Sequence, residues 1–196
     1  LDFSSSKIPD FINVNKKLKK LTSWQIKTVS NIAEPVYFFS CLAKKQFTST
    51  CWLRTIKEID YLEEPDMFHD VFGHIPLLSN HTYSDFFQKI GELSLEFIDD
   101  DFKIKQLQRL YWFTIEFGLV KNQDTFDIYG AGIISSEKEI KNVYSENSIK
   151  KPFNLSEILK QDFIIDKVQP IYFFIDSFDQ LLDSLAEIRK LINSKS

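Results

Sequence analysis

Apolar residues recur at helical spacing in several stretches of the chain. The clearest pattern covers residues 84–99, where the apolar side chains share one face and Ser84 stands where it could cap the first turn. A longer pattern predicts a helix over 103–121, with Gly118 interrupting it near its end. Shorter helices are predicted over 10–20, from Pro35 to 44, over 155–161, and after a capping-box pattern at 177–180.

Strand signals are fewer and shorter. Residues 46–55 alternate and are rich in threonine and aromatic side chains, and residues 169–175 form a short apolar run that begins beside a proline. Residues 129–136 are predicted to form a loop that leads into a short extended piece. The chain is therefore predicted to be mainly α with a few short β-strands.

Composition restricts the possible classes of protein. The 196 residues are enough for one domain with a sizeable core, so residues 1–196 are predicted to form a single domain. A net charge of -4 gives no basic field for binding nucleic acid, and no apolar run is long enough to span a membrane. Cys41 and Cys51 are the only cysteines and make no disulfide framework, which favours a cytoplasmic protein.

The stretch 64–76 holds His69 and His74, five residues apart. Histidine is the commonest metal ligand, although one surface histidine and one helix cap would give the same pattern. On an α-helix a five-residue step turns the side chain by roughly 140°, which would splay the two rings. Gly73 weakens the helix and Pro76 disfavours helical geometry at the residue before it. The helix is therefore predicted to end at Gly73, so that His74 can swing back toward His69.

Glu116 is a candidate third ligand. Its neighbours one helical turn away are all apolar, and a carboxylate on such a face is costly unless it is paired or bound to a metal. A salt bridge to a buried Arg or Lys is the alternative. Two histidines with one carboxylate and no thiolate fit a non-haem Fe(II) site. Catalytic zinc can use the same three groups, but usually with its histidines four residues apart and a Glu between them.

Four blocks of sequence, taken together in order, resemble one family. They are EPDMFHDVFGHIPLL at 64–78, YWFTIEFGL at 111–119, YGAGIISS at 129–136 and QPIY at 169–172. In these blocks the chain resembles the tetrahydropterin-dependent aromatic amino acid hydroxylases, and most of all their short bacterial phenylalanine 4-hydroxylases. The resemblance runs from about residue 8 to the last helix and implies the catalytic-domain fold of that family.

The resemblance also implies roles for individual residues. The family's iron ligands, which are its catalytic metal site, fall on His69, His74 and Glu116. The residues that match its substrate site are Arg54, Ser135, Trp112 and Pro65. The residues that match its pterin site are Phe38, Asp70 and Tyr111.

The activity implied is a monooxygenase that uses Fe(II), a tetrahydropterin and O2 to hydroxylate an aromatic amino acid, most simply phenylalanine to tyrosine. Tryptophan or mixed use within the same family is an alternative, because Thr48 and Ile165 match no branch cleanly. A zinc hydrolase on the same three groups and a non-catalytic relative are alternatives from other classes. The expected partner is a small aromatic amino acid, with no nucleic acid and no membrane.

Some positions depart from the family. Leu62 and Asp70 stand where animal members carry Thr and Glu. The animal regulatory domain and the C-terminal tetramerisation helix are expected to be absent, and part of the usual N-terminal segment of the bacterial catalytic domain to be missing. The protein is therefore expected to be a monomer.

Overall fold

A computed structural model describes residues 1, 3, 7–59 and 64–194 of the chain. Leu62 lies outside the described residues. In the described part, α-helices dominate and strands are short, which confirms the predicted class. The α-helices are α1 (Phe11–Leu21), α2 (Pro35–Ala43), α3 (His81–Glu96), α4 (Asp101–Tyr111), α5 (Ala131–Ile134), α6 (Glu137–Val143), α7 (Leu155–Ile158), α8 (Phe178–Asp183) and α9 (Leu185–Asn193).

The strands form two small sheets. They are β1 (Gln25–Val29), β2 (Gln46–Thr50), β3 (Gly118–Asn122), β4 (Thr125–Ile128), β5 (Ile149–Pro152) and β6 (Ile171–Ile175). Strands β1 and β2 pair in parallel, with Gln25 opposite Gln46. The other sheet has the order β4-β3-β6-β5, in which β3 and β4 are antiparallel and the remaining pairs are parallel.

Two helical segments have π geometry, with hydrogen bonds that close between residues i and i+5. The first covers His69–His74, and the second covers Trp112–Glu116 and continues directly from α4. Short 3₁₀ turns lie at Ile56–Glu58 and Leu77–Ser79. Both π segments carry residues that the sequence marks as candidate metal ligands.

The predicted helices over 84–99 and 103–121 were wrong in their boundaries. Helix α3 begins at His81, because the Asn80 side chain accepts from the amide of Tyr83 at 3.0 Å, and Ser84 is buried inside the helix. The second prediction was wrong beyond Glu116, because Phe117 ends the helix and β3 begins at Gly118. Apolar residues keep helical spacing through this junction, so the change from helix to strand was not visible in the sequence.

Three other local predictions were also wrong. The strand predicted over 46–55 ends at Thr50, and the extended piece predicted within 129–136 is the single helical turn of α5. The capping box at 177–180 does not form, because Ser177 makes no side-chain cap and Gln180 accepts from the amide of Asp176 instead. The C-terminal helix is divided at Ser184 into α8 and α9.

Helix α3 runs through the centre of the main core. Its side chains Phe86, Phe87 and Ile90 have no exposed surface. The two π segments and α5 pack around one end of this core, so the candidate ligands are held by buried elements. In residues 7–59 and 64–194, no helix is both long enough and apolar enough to cross a membrane.

Candidate active site

His69, His74 and Glu116 meet at one point although they lie on separate segments. The Nε2 atoms of His69 and His74 are 3.2 Å apart. Glu116 Oε1 is 3.2 Å from Nε2 of His74, and Oε2 is 3.5 Å from Nε2 of His69. In the described part of the chain, these three form a group whose candidate donor atoms all lie within 4.8 Å of one another.

The helix does not end between the two histidines, so that prediction was wrong. His69 and His74 are the first and last residues of the first π segment. A π turn closes between residues five apart, so it brings these two side chains to the same face where an α-helix would separate them. The π geometry of the backbone therefore explains how two histidines five residues apart can face each other.

Gly73 does not end the helix but allows close packing. A Cβ at this position would lie 2.8 Å from Cβ of Ala131 and 3.0 Å from its carbonyl oxygen. Only glycine lets α5 approach the π segment this closely. This approach brings Ser135, at the end of α5, beside His69.

Ser135 fixes the tautomer of His69. Its hydroxyl donates to the carbonyl of Ala131 at 2.9 Å and lies 2.8 Å from Nδ1 of His69. Because the hydroxyl has one proton and uses it on Ala131, it accepts from His69, whose Nδ1 therefore carries the hydrogen. The Nε2 lone pair of His69 is then directed toward His74 and Glu116.

The protonation states suit metal ligation. Burial lowers the pKa of His69 to about 4, so its imidazole is neutral at neutral pH. Burial alone would raise the pKa of Glu116, but the adjacent His74 and His69 and a hydrogen bond with Tyr111 outweigh it and lower that pKa to about 2. A neutral imidazole and an ionised carboxylate are the forms that bind a cation.

The residues present fit a divalent metal better than a structural ion pair. In the described residues, Glu116 pairs with the two histidines and with no Lys or Arg, so the alternative of a buried salt bridge to such a residue is set aside. Two imidazole nitrogens directed at each other across 3.2 Å, with a carboxylate beside them, leave one shared point for a cation. Nitrogen and oxygen donors without thiolate suit iron or zinc.

Two cavities meet at this point. A cavity of about 220 Å³ is lined by Arg54 and Ser135, and another of about 450 Å³ is lined by Phe38 and Asp70. The residues that line both cavities are Pro65, His69, Tyr111, Trp112, Glu116 and Ile165. Of the residues predicted for substrate, Arg54 and Ser135 line only the smaller cavity, and of those predicted for pterin, Phe38 and Asp70 line only the larger one. The other three predicted residues line both cavities, so the structure does not assign them to either one.

Arg54 lines the smaller cavity and is held there by the carboxylate of Asp66. Asp66 was not predicted from the sequence as a site residue. Asp66 binds the guanidinium through Nη2 at 2.8 Å and Nε at 3.1 Å, and Arg54 Nη1 donates to the carbonyl of Ser135 at 2.9 Å. Asp66 is fully buried and also accepts from the backbone amide of His69 at 3.0 Å. Because Asp66 takes one edge of the guanidinium, Nη1 is left for the carbonyl of Ser135 and, at 3.4 Å, for that of Ile59.

On the side of the larger cavity, Asp70 is buried and its Oδ2 accepts from the amide of Thr50 at 2.8 Å and from the hydroxyl at 3.1 Å. Burial raises its pKa to about 6, although the bonds from Thr50 act in the opposite direction. Phe38 meets the ring of Tyr111 edge-on, with centroids 5.8 Å apart. These contacts join α2, β2 and α4 around the larger cavity.

Trp112 has partners that the sequence analysis missed. Its indole stacks on Phe163 with centroids 4.4 Å apart, and its Nε1 donates to the side-chain oxygen of Gln169 at 3.1 Å. Glu139 is buried beside Gln169 and lines the smaller cavity. No sequence pattern marked Glu139, because Val143 is the only apolar residue one helical turn away from it.

Comparisons with known proteins agree along nearly the whole chain. Residues 1–195 match the family described as biopterin-dependent aromatic amino acid hydroxylase. A phenylalanine-4-hydroxylase of Chromobacterium violaceum is 40% identical over 189 residues, which cover 95% of this chain and 63% of that protein. A phenylalanine-4-hydroxylase of Ralstonia nicotianae is 40% identical over 187 residues, which cover 94% of this chain and 59% of that protein.

A solved structure gives the same result for the fold. The Chromobacterium violaceum phenylalanine hydroxylase with bound iron(III) and the oxidised cofactor 7,8-dihydrobiopterin superposes with a TM-score of 0.89 and 38% identity. The match covers 98% of this chain and 71% of that one. The chain spans about three fifths of the length of the curated relatives named above.

Proposed function

The chain belongs to the biopterin-dependent aromatic amino acid hydroxylases, and from this we propose that it hydroxylates the ring of phenylalanine to give tyrosine, with Fe(II), a tetrahydropterin and O2. The observation that carries the proposal is the position of His69, His74 and Glu116 where the two cavities meet. A metal at that point would be open to an occupant of either cavity. A ring hydroxylase needs this arrangement, because its metal must serve a reductant and a substrate together.

His69, His74 and Glu116 would hold the iron through two nitrogens and a carboxylate. Together with a tetrahydropterin, iron of this type supplies the activation of O2 that attack on an aromatic ring requires. The protein keeps the ligands in their binding forms through Ser135, which fixes the tautomer of His69, and through burial. These three residues would be the protein's ligands in the described part of the chain, and the metal would then keep positions for other molecules.

The smaller cavity would take the amino acid. Arg54 lines this cavity and is held in a fixed orientation by Asp66. Its guanidinium would bind the carboxylate of the substrate. Trp112 and Pro65 supply apolar walls for the ring between Arg54 and the metal ligands. Binding the carboxylate at one end and the ring at the other orients the substrate for reaction at a single carbon.

The larger cavity would take the pterin. Phe38 offers an aromatic face, and Tyr111 and Asp70 offer polar groups near the metal ligands. Its volume of about 450 Å³ is within the ordinary size of a small-molecule site. Trp112 and Pro65 also line this cavity, so they would separate the two bound molecules.

A product assay tests the proposal. The purified protein is incubated with Fe(II), tetrahydropterin and O2, and with phenylalanine, tryptophan or tyrosine in separate reactions, and hydroxylated products are measured by mass spectrometry. We expect tyrosine from phenylalanine, and no product from Glu116→Ala or from protein loaded with zinc. Absence of product from all three amino acids with iron bound would overturn the proposal. A product from tryptophan alone would change the substrate but keep the reaction class.

The predicted monomeric state and cytoplasmic location stay predictions. Cys41 and Cys51 are both free thiols, which agrees with a reducing compartment. Light scattering on the purified protein measures its oligomeric state.

A further inference from the structure

The smaller cavity contains a buried polar network for which the proposed metal and substrate contacts give no reason. Glu139 on α6 and Gln169 just before β6 are 3% and 2% exposed. In the described part of the chain, no Lys or Arg forms an ion pair with Glu139; its carboxylate is held by hydrogen bonds alone. A buried carboxylate without a cation is costly, so this network calls for an explanation other than stability.

The side chain of Gln169 has one possible orientation. Its Nε2 donates to the carbonyl of Ile164 at 2.6 Å and to that of Lys167 at 3.1 Å. Its Oε1 must therefore face the indole of Trp112, whose Nε1 lies 3.1 Å away. Every polar atom of this amide is in use, so the acceptor offered to Trp112 is fixed.

Glu139 holds Gln169 from the other side. Its Oε1 accepts from the backbone amide of Gln169 at 3.0 Å, and its Oε2 accepts from the hydroxyl of Tyr172. Asn142, also on α6, donates to the carbonyl of Gln169 and to the oxygen of Tyr172, each at 2.8 Å. The backbone of Gln169 is thus attached to α6 through both of its polar groups.

The network ends at the walls of the cavity. The indole of Trp112 lies between the rings of Phe163 and Phe117, with centroid distances of 4.4 Å and 4.7 Å. Stacking fixes the plane of the indole but leaves it free to slide or turn within that plane, whereas the bond to Gln169 removes this freedom. Gln169 also holds the carbonyls on either side of Ile165, which lines both cavities.

We propose that Gln169, held by Glu139, is a positioning residue that fixes the indole of Trp112 and the adjacent loop as a rigid wall for the substrate ring. The role as a substrate wall rests on the proposed function. The hydrogen-bond relay from α6 to the indole can be tested without turnover.

A ¹⁹F NMR experiment tests the relay directly. The chain has three tryptophans, so protein labelled with 5-fluorotryptophan gives three signals, and Trp112→Phe identifies that of Trp112. In Gln169→Leu we expect the Trp112 signal to broaden or split while the other two are unchanged. Gln161→Leu is the matched control, because Gln161 lies on the same stretch and bonds to the carbonyl of Asp162 rather than to the indole. An unchanged Trp112 signal in Gln169→Leu would overturn the proposal, whether or not the protein hydroxylates any amino acid.

Kinetics of the iron- and pterin-loaded enzyme test the consequence for substrate. We expect Gln169→Leu to raise the KM for phenylalanine about three- to tenfold, as for loss of one buried hydrogen bond, with a smaller change in kcat. In the Trp112→Phe background the same substitution should have a smaller effect on the KM, because the indole donor is already gone and only the bonds to the loop carbonyls remain to be lost. If the fold-changes in KM of the two substitutions multiply, Gln169 acts independently of Trp112. That result would contradict the proposal.

Glu139 provides a conservative pair of variants. Glu139→Gln keeps an oxygen for the amide of Gln169, so the Trp112 signal and the KM should stay close to wild type. Glu139→Leu removes that acceptor and should reproduce Gln169→Leu. A wild-type Trp112 signal in folded Glu139→Leu would exclude Glu139 from the relay, and the Gln169 variants decide the proposal if Glu139→Leu does not fold.

Discussion

The hydroxyl of Ser135 lies 2.8 Å from Nδ1 of His69 and donates its proton to the carbonyl of Ala131. Ser135 therefore accepts from His69 and leaves the Nε2 lone pair available to a metal ion. The resemblance to known hydroxylases assigns Ser135 to the substrate, and the structure adds this contact with a candidate ligand. This contact predicts that Ser135 contributes to metal binding.

Ser135→Ala should weaken iron binding. Loss of the acceptor at Nδ1 frees the ring to rotate or change tautomer, and such outer contacts are typically worth about 10- to 100-fold in metal affinity. The dissociation constant for Fe(II) is measured by competition with a chelator under anaerobic conditions. Ser136→Ala is the control, because this neighbouring hydroxyl accepts from the amide of Glu139 as the N-cap of α6. Equal affinities for the two variants would contradict the role given to Ser135.

Arg54→Lys should raise the KM for phenylalanine at least tenfold and leave the Fe(II) dissociation constant within about twofold, since a bidentate contact of arginine is lost without removing a ligand. Lysine keeps a positive charge beside the buried Asp66, so the variant avoids the penalty of an unpaired carboxylate, which is about 3–5 kcal/mol for a broken buried pair. Steady-state kinetics and a chelator titration on the same preparation separate the two effects. Iron loss as large as that of His74→Ala would place Arg54 in the metal site rather than the substrate site.

Gly73→Ala should destabilise the protein by about 1–3 kcal/mol, as is usual for overpacking, and should also weaken iron binding. The new Cβ would meet the Cβ and the backbone of Ala131 and would displace α5, which Ser135 directly follows. Denaturant unfolding of the metal-free protein measures the first effect, and the chelator titration measures the second. Adding Ala131→Gly removes the contact with the Ala131 side chain and should recover part of the stability; no recovery would mean that this side-chain contact is not the cause.

The stability difference between wild type and Glu139→Gln should depend on pH. Burial raises the pKa of Glu139, although its bonds with Tyr172 and Gln169 act against the rise. For a carboxyl with a raised folded pKa, the stabilising contribution is complete below the unfolded pKa and is lost as pH rises through the folded value. The glutamine variant does not titrate, so its free energy of unfolding should gain on that of wild type as the pH rises above about 4, the pKa of an unfolded Glu.

This pH dependence is measured on metal-free protein by denaturant unfolding at several pH values. All other titrating groups are common to the two proteins, so they cancel in the difference. A constant difference, or one that moves in favour of wild type as pH rises, would contradict a raised pKa for Glu139.

The meeting of His69, His74 and Glu116 could be predicted from the sequence, but the geometry that joins the histidines could not. Two histidines five residues apart on an α-helix would diverge, so a helix end at Gly73 was the available explanation. The structure uses a π turn instead, and the apolar spacing of so short a segment does not distinguish a π turn from an α turn. Glu116 was identifiable because a carboxylate among apolar neighbours signals a partner.

Contacts between distant segments account for the rest of what was missed. Asp66 fits a helix N-terminus by its sequence, and only the fold brings it to the guanidinium of Arg54. The hairpin of β3 and β4 was concealed because apolar residues continue at helical spacing through Gly118. Gln169 and Trp112 are far apart along the chain, and no local pattern connects them.

In the proposed function, His69, His74 and Glu116 hold an iron at which oxygen from O2 is transferred to an aromatic amino acid. The most direct test supplies the Fe(II)- and tetrahydropterin-loaded protein with ¹⁸O2 and phenylalanine, and measures the mass of the tyrosine formed beside a parallel reaction with Glu116→Gln. We predict tyrosine that carries one ¹⁸O atom from wild type and none above background from the variant. Tyrosine without the label, or an equal amount of labelled product from Glu116→Gln, would contradict this function.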